Sequence, residues 1–249
     1  MRILVTLGGT SERIDQVREI TNQSTGTLGC LIVAEWLAQQ ATVDAIVTTH
    51  AKKPAPHEQL SVYPIHDTAD LVTTMTTLLT THTYDAVIHS MAVSDFTPSA
   101  SLSQAQLLEA LNQWHYTHPN EDFTAQWFDT LPHPVENKLS SATDHLTVIL
   151  KKTPKVIQLI KQYQPTTLLV GFKLLVQVEQ DELIAVAKKA QQTNQADFVL
   201  ANDLSQITAS THVGYLVNEQ GILAQANTKA EIAHVIVCTL VPIIKRKKA

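Results

Sequence analysis

Short apolar runs rich in β-branched residues alternate with stretches of helical periodicity along this chain of 249 residues. Each apolar run of this kind predicts a buried strand, and each periodic stretch predicts a helix that packs on the sheet. The alternation favours right-handed βαβ units and a parallel sheet with helices on both faces. We therefore predict a doubly wound α/β fold whose ligands bind beyond the carboxyl ends of the strands.

The predicted elements repeat this alternation almost to the end of the chain. Strands are predicted to begin at Ile3 and to span 44–49, 60–65, 84–90, 168–173 and 197–200. Helices are predicted at 28–36, at 67–79, from Pro154 onward, at 181–193 and at 229–240. Runs at 213–217 and 222–226, joined by Asn-Glu-Gln-Gly, predict a C-terminal hairpin that closes one sheet edge. The predicted sheet is Rossmann-like and mostly parallel.

The alternation weakens between 96 and 136, where only one helix is predicted, at 104–114, and strand character returns at 138–150. A chain with 44% hydrophobic residues and this length can bury a sizeable core in one unit. We therefore predict a single domain over 1–249, in which about 96–153 form an insertion.

Four of the seven glycines fall between Gly8 and Gly29, around the passage from the first strand to the first helix. Free backbone N–H groups and the positive end of a helix dipole meet there, which predicts a phosphate-binding site. A tight turn alone would explain an isolated glycine pair. It explains less well why two groups of glycines, Gly8-Gly9 and Gly26 with Gly29, lie around the passage from the first strand to the first helix. The spacing matches neither G-x-G-x-x-G nor G-x-x-x-x-G-K-[ST], so standard nucleotide motifs do not name the ligand.

Composition restricts the partners and the compartment. The net charge is −5 and charged residues make up 16%, below the usual value of about 25%, so nothing indicates nucleic acid binding. The two cysteines, Cys30 and Cys238, support neither a disulfide framework nor a zinc site. A strand begins within two residues of Met1, and no apolar run reaches about 18 residues, so we expect a soluble, cytoplasmic protein. The basic run at 245–248 is expected to be a solvated, frayed end.

The glycine-containing segment resembles the entry segment of the phosphopantothenate-cysteine ligases of coenzyme A biosynthesis. Their pattern is roughly T-x-G-x-T-x-E-x-[IL]-D-x-V-R-x-I-x-N-x-S-[ST]-G-x-x-G. The matching residues are Thr6, Gly8, Thr10, Glu12, Ile14, Asp15, Val17, Arg18, Ile20, Asn22, Ser24, Thr25, Gly26 and Gly29. Shorter motifs follow in the family's order: Ala-Val-Ser-Asp95-Phe, Lys138-Leu-Ser-Ser, Lys152-Thr-Pro-Lys, Val170-Gly-Phe and Ala201-Asn-Asp. The resemblance runs from Ile3 to about Leu204.

The resemblance implies a ligase of the stand-alone bacterial type. Such an enzyme activates the carboxylate of 4'-phosphopantothenate with a nucleotide, CTP in preference to ATP, and condenses it with cysteine. It releases CMP and pyrophosphate, and Mg²⁺ bridges the phosphates. A homodimer, with a flap braced in part by the partner subunit, is also implied, whereas nucleic acid and membrane partners are not.

The resemblance also assigns roles to single residues. Asn22 and Lys138 are implied to be catalytic, since Asn22 would bind the acyl intermediate and Lys138, on the flap, would neutralise phosphate. Implied nucleotide-binding residues are Gly8, Gly9, Thr10, Asp95, Pro154 and Phe172. Implied substrate-binding residues are Ser24, Thr25, Gly26 and Asn202, and no residue is implied to ligate a metal.

Two alternatives stay open, and one of them rests on a departure from the family. Where well-known bacterial members have two lysines that face the triphosphate, this chain has Ala190 and Asn194, so it could be a catalytically silent nucleotide-binding module. The strand-helix pattern also suits a Rossmann-type NAD(P)-binding oxidoreductase, but G-x-G-x-x-G and a Tyr-x-x-x-Lys pair are both absent.

Overall fold

The computed structural model describes residues 1–132, 142–208 and 210–248. In chain order its strands are β1 (Arg2–Leu7), β2 (Ser11–Arg13), β3 (Glu19–Thr21), β4 (Thr42–Thr48), β5 (Leu60–Ile65), β6 (Ala86–His89), β7 (Phe96–Ser103), β8 (Leu146–Lys152), β9 (Leu168–Leu175), β10 (Phe198–Asp203), β11 (Gly214–Asn218) and β12 (Gly221–Ala226). The α-helices are α1 (Thr27–Ala38), α2 (Thr68–Thr81), α3 (Gln104–Thr117), α4 (Val156–Tyr163), α5 (Gln180–Asn194) and α6 (Lys229–Lys248).

The chain divides into two compact units. The sheet unit comprises Met1–Thr10, Gln23–Val93 and Lys155–Ala249, and the insert unit comprises Ser11–Asn22 and Ser94–Pro154. The expectation of one domain over 1–249 stays a prediction.

The sheet unit contains an eight-stranded sheet in the order β12-β11-β10-β9-β6-β1-β4-β5. The six strands from β10 to β5 run parallel, and the hairpin of β11 and β12 adds two antiparallel strands at one edge. From β1 the chain first builds the sheet towards β5, and it then returns to β6 and builds towards β10. The order therefore reverses between β1 and β6, which is where ligands bind in doubly wound sheets.

Two apolar clusters cover the two faces of this sheet. The inner faces of α1 and α6 contribute residues such as Trp36 and Ile236 to one cluster. Residues of α2, α4 and α5, such as Met75, Ile160 and Leu183, contribute to the other. Because helices cover both faces, the inner strands β1, β4, β6 and β10 are almost continuously buried, as a doubly wound fold requires. In the edge strand β5 only Ile65 is buried. The predicted fold class and the C-terminal hairpin are confirmed.

The insert unit has a small core of its own. Strands β7 and β8 pair antiparallel, and β2 pairs with β3 in a separate short hairpin. A capping box begins α3, since Ser103 Oγ accepts from Gln106 N and the Gln106 side chain accepts from Ser103 N. Among its described residues, the buried members of the apolar cluster are Ala100, Leu102, Trp127 and Leu131.

Some sequence-based expectations need correction. Residues 96–103, expected to lie in an irregular insertion, form β7, and the loop after Gly9 contains β2 and β3. Helix α4 begins at Val156 rather than at Pro154. The strand expected at 138–150 begins at Leu146, and 133–141 lie outside the described residues.

The basic run at 245–248 is not frayed, because α6 continues to Lys248. Lys248 Nζ lies 2.6 Å from Asp85 Oδ2, and Lys247 Nζ donates to the carbonyl oxygen of Thr166 at 3.1 Å. These contacts hold the last turn against the sheet unit. Over the described residues, no helix combines the length and the apolar character that crossing a membrane requires.

Candidate functional site

The loop after β1 lies at the point where the strand order reverses. Gly8 has a φ of +97°, and a side chain there would collide with Thr48 and Ala51. The backbone of this loop pairs with the loop after β6, since Ala92 N donates to Gly8 O at 2.9 Å and Thr10 N donates to Ala92 O at 3.0 Å. Glycine at position 8 is thus required both by conformation and by space.

The buried ends of β1 and β6 hold these loops in place. His89 Nδ1 lies 2.9 Å from Thr6 Oγ1, and Ser90 Oγ donates to the carbonyl oxygen of Thr6 at 2.7 Å. Burial lowers the pKa of His89 to about 4, so its imidazole is neutral at neutral pH.

The N-terminus of α1 is suited to an anion. Gly26, at the N-cap, has a φ of +72°, no side chain caps the helix, and its first turn contains no acidic residue. Gly29 allows the first turn to approach Leu7, because a Cβ there would overlap the Leu7 side chain. The positive end of the helix dipole is therefore not neutralised by a carboxylate within the first turn.

These loops line a cavity of about 330 Å³ within the sheet unit. Its lining residues are Leu7, Gly8, Gln23, Ser24, Thr25, Gly26, Thr27, Leu28, Gly29, Ser90, Met91, Ala92, Phe172, Leu174, Asn202, Leu204, Ile207, His212 and Lys229. Among these lining residues, all in the described part of the chain, Lys229 is the one lysine or arginine, and none is a carboxylate. The α1 dipole and Lys229 both favour a negatively charged ligand.

Asn202 and His212 form a buried polar pair in the wall of the cavity. Asn202 Nδ2 lies 3.2 Å from His212 Nε2. Because an amide nitrogen only donates, Nε2 accepts and the ring proton is on Nδ1. Burial, and secondarily the positive charge of Lys229, lower the pKa of His212, which keeps the ring neutral.

The carboxylate of Asp203 holds the neighbouring loops. It accepts hydrogen bonds from the backbone N–H groups of Gln177, Val178 and Ser205 and from Ser205 Oγ. These bonds lower the pKa of Asp203 to about 2. Asp203 thereby positions the ends of β9 and β10, which carry Phe172 and Asn202.

Six of the predicted site residues meet in this cavity: Gly8, Ser24, Thr25, Gly26, Phe172 and Asn202. They include residues predicted for the nucleotide and residues predicted for the substrate, so the geometry does not separate the two sets. Gly9 and Thr10 are not in the lining. Gly9 bridges to Ala92, and Thr10 is fully buried.

The other predicted residues belong to the insert unit or lie outside the described part. Asn22 Nδ2 donates to Ser94 Oγ at 3.3 Å, so the pair joins the end of the β2–β3 hairpin to the segment before β7. Asp95 and Pro154 are exposed. Lys138 lies outside the described residues.

Positions 190 and 194 lie in the last turns of α5, which returns the chain to the amino end of β10. The cavity residues Phe172 and Asn202 lie towards the carboxyl ends of β9 and β10. Lysines at 190 and 194 would therefore be at the opposite end of the sheet from this cavity.

Sequence reasoning missed His212 and Lys229. His212 lies in a loop with no motif, and only the fold brings it to Asn202. Lys229 carried a signal, because a lysine in the first turn of a helix opposes the helix dipole.

Comparison with known families agrees with this geometry. A family described as the DNA/pantothenate metabolism flavoprotein C-terminal domain matches residues 1–110 and 128–243. The chain belongs to this family. Residues 111–127, in α3 and the segment after it, lie outside the family match.

Relatives support the membership. The chain is 29% identical over 203 residues to the coenzyme A biosynthesis bifunctional protein CoaBC of Thermococcus kodakarensis, which covers 82% of this chain and 41% of that protein. It is 25% identical to the CoaBC protein of Methanocaldococcus jannaschii, over 98% of this chain and 51% of that protein. The chain thus spans about half the length, or less, of these curated relatives.

Solved structures agree as well. The DNA/pantothenate metabolism flavoprotein of Streptococcus pneumoniae is 40% identical, with a TM-score of 0.83 over 96% of this chain and 98% of that one. A Cab2 variant in complex with phosphopantothenate-cysteine has a TM-score of 0.69 over 98% of this chain and 86% of that one. Its identity is 15%, so this second likeness concerns the fold.

Proposed function

We propose that this protein is a phosphopantothenate-cysteine ligase of coenzyme A biosynthesis. The observation that carries the proposal is the cavity at the reversal of strand order, because residues from separate ligase motifs line it together. Family membership, the names of the CoaBC relatives and the ligand of the Cab2 complex support the same activity.

The reaction needs activation, because a carboxylate and an amine do not condense in neutral water. A carboxylate oxygen of 4'-phosphopantothenate attacks the α-phosphorus of the nucleotide, the bond to the β-phosphate breaks, and pyrophosphate leaves. The amine of cysteine then attacks the acyl carbon, a C–N bond forms, and the nucleoside monophosphate leaves with the electron pair of the broken C–O bond. The amine loses a proton in this second step.

The cavity suits the nucleotide. The uncapped N-terminus of α1 and the hydroxyl groups of Ser24 and Thr25 can donate to phosphate oxygens. Phe172, half-buried at the cavity wall, offers an aromatic face to a base. Asn22 and Lys138 are proposed to stabilise the negative charge that develops on the acyl intermediate.

Mg²⁺ would accompany the nucleotide rather than be held by the protein. The described lining of the cavity offers hydroxyl and amide oxygens but no carboxylate, so it does not form a magnesium site on its own. Mg²⁺ commonly keeps several waters and binds phosphate oxygens of its substrate, which fits this arrangement. CTP as the preferred nucleotide, a homodimer and a cytoplasmic location belong to the proposal too, on the resemblance to the stand-alone bacterial ligases.

The proposal is tested with Asn22→Ala, whose matched control is Asn112→Ala, an exposed asparagine of the same insert unit. Loss of one charge-stabilising donor lowers turnover by about 100- to 1,000-fold, whereas the control keeps wild-type turnover. Lys138→Ala is expected to behave like Asn22→Ala. The measurement is the rate of formation of the ligated product, followed by mass spectrometry. Wild-type rates for both Asn22→Ala and Lys138→Ala would contradict their roles.

A further inference from the structure

Lys229 is a cation in the cavity that the reaction scheme above does not use. Its side chain is half-buried, and it lines the cavity together with Gly26 and Asn202. Within the described residues, its ammonium group makes no ion pair or hydrogen bond with the protein. The carboxylate nearest in sequence, Glu231, accepts instead from Asn227 N at 2.8 Å.

The position of Lys229 is unfavourable without a negatively charged partner. Lysine 229 is the first residue of α6, where the helix dipole repels a cation. The turn itself is fixed, because Glu231 N donates to Thr228 Oγ1 at 3.1 Å and His212 N donates to Asn227 O at 2.7 Å. A half-buried lysine in a fixed turn gains most from an anion that enters the cavity.

His212 supplies a second, independent observation. The residue is 8% exposed and lies in the same cavity wall. Its Nδ1 has no hydrogen-bond partner within the described residues, and the contact of Nε2 with Asn202 places the ring proton on Nδ1. A buried N–H donor beside a lysine is the environment that a ligand rich in acceptor oxygens would satisfy.

We propose that Lys229 binds a phosphate group of the ligand in this cavity. The inference rests on the proposed function for the identity of that ligand, since both the nucleotide and 4'-phosphopantothenate carry phosphate. Lys229 would supply positive charge in the cavity itself, which Ala190 and Asn194 do not line. Those two positions lie at the other end of the sheet, so a lysine there could not substitute for it in this cavity.

Binding is measured by calorimetry on the full-length protein with matched pairs of ligands: CTP and cytidine, ATP and adenosine, 4'-phosphopantothenate and pantothenate. Inorganic pyrophosphate serves as a ligand that is independent of the ligase reaction. The variants are Lys229→Met, which removes the charge and keeps the length, and Lys229→Arg, which keeps the charge. Lys245→Ala, an exposed lysine of the same helix, is the control. Thermal unfolding checks that each variant is folded.

We expect Lys229→Met to lower the affinity for at least one phosphorylated ligand about 10- to 100-fold, while the affinity for its unphosphorylated counterpart stays unchanged. Lys229→Arg restores most of the affinity, and Lys245→Ala changes nothing. The pair of ligands that responds identifies which phosphate Lys229 contacts.

Three results would overturn the inference. Lys229→Met could bind every phosphorylated ligand with wild-type affinity, or it could lose the same affinity for both members of each pair. The third result is that the wild type binds no phosphorylated ligand. If pyrophosphate affinity depends on Lys229 but the wild type forms no ligated product, the ligase proposal fails and the phosphate site stands. If the product forms and Lys229→Met binds all ligands normally, only the phosphate site fails.

Discussion

The sheet unit and the insert unit bury very different amounts of apolar surface. In the sheet unit, fully buried side chains such as Trp36, Ile3 and Leu169 cover both faces of the strands. In the insert unit α3 has no buried residue, and Tyr116 is 84% exposed. Since burial of apolar surface dominates stability, we expect the sheet unit to hold the cavity rigidly and the insert unit to open at lower cost.

Removal of one tryptophan from each unit should affect the two units differently. Trp36→Ala should destabilise the protein by about 4 kcal/mol, because Trp36 is fully buried in the larger core. Trp127→Ala should mainly open the insert unit, because Trp127 shares its cluster with three other buried residues among those that the structure describes. Hydrogen exchange read by mass spectrometry checks this: Trp127→Ala should speed exchange in α3 and β7 and leave β1 and β6 protected. Equal loss of protection in β1 and β6 for the two variants would contradict the contrast.

Acid should weaken the sheet unit through His89. Burial lowers the pKa of this imidazole from 6.5 to about 4. Between these two pH values, His89 is mostly protonated in the unfolded chain and mostly neutral in the folded protein. Stability contributed by neutral His89 is therefore complete above pH 6.5 and falls as the pH drops towards 4. Between pH 7 and pH 4 the loss is about 3 kcal/mol. Urea unfolding across this range should show a smaller loss for His89→Gln; the same pH dependence in both proteins would show that His89 is not responsible.

Two glycines of the sheet unit have a positive φ but differ in how closely other atoms surround them. Gly8→Ala should cost about 3 kcal/mol, because the new methyl group meets Thr48 and Ala51 in addition to the strained backbone. Gly221→Ala, in the β11–β12 turn at φ +134°, should cost about 1 kcal/mol, because the nearest atom to the added Cβ is Lys188 Nζ at 3.8 Å. Thermal unfolding of both variants checks the order. A larger cost at Gly221 would mean that the cavity loop adapts more easily than its close contacts indicate.

The same contrast explains what the sequence could predict. The inner parallel strands were predictable because burial on both faces leaves continuous apolar runs. The edge strand β5, in which only Ile65 is buried, nevertheless begins and ends at the predicted residues, Leu60 and Ile65. In the insert unit, β7 contains Pro98 and three serines, and β8, its partner, begins more than 40 residues after β7 does, so no local pattern reveals the pairing. The order of the strands in the sheet could not be predicted either, because local periodicity does not indicate which strands are neighbours.

Some residues of the cavity could be predicted from the sequence, and others could not. Gly8, Gly26 and Asn202 follow motifs at strand and helix ends, so their positions could be predicted from the chain alone. His212 and Lys229 reach the cavity from a loop and from the last helix, and only the closed hairpin of β11 and β12 brings that part of the chain back to it. Only tertiary structure brings these two side chains to the cavity, so the sequence around them gives little indication of it. The one local indication is the position of Lys229 at the start of a helix, where the dipole disfavours a cation.

The ligase proposal is tested most directly by pyrophosphate release from purified protein with Mg²⁺, cysteine and 4'-phosphopantothenate, run in parallel with CTP and with ATP. We predict release that requires 4'-phosphopantothenate, is faster with CTP, and is matched by formation of the ligated product. Nucleotide binding without release of pyrophosphate from either nucleotide would contradict the ligase assignment and identify the protein as a nucleotide-binding module.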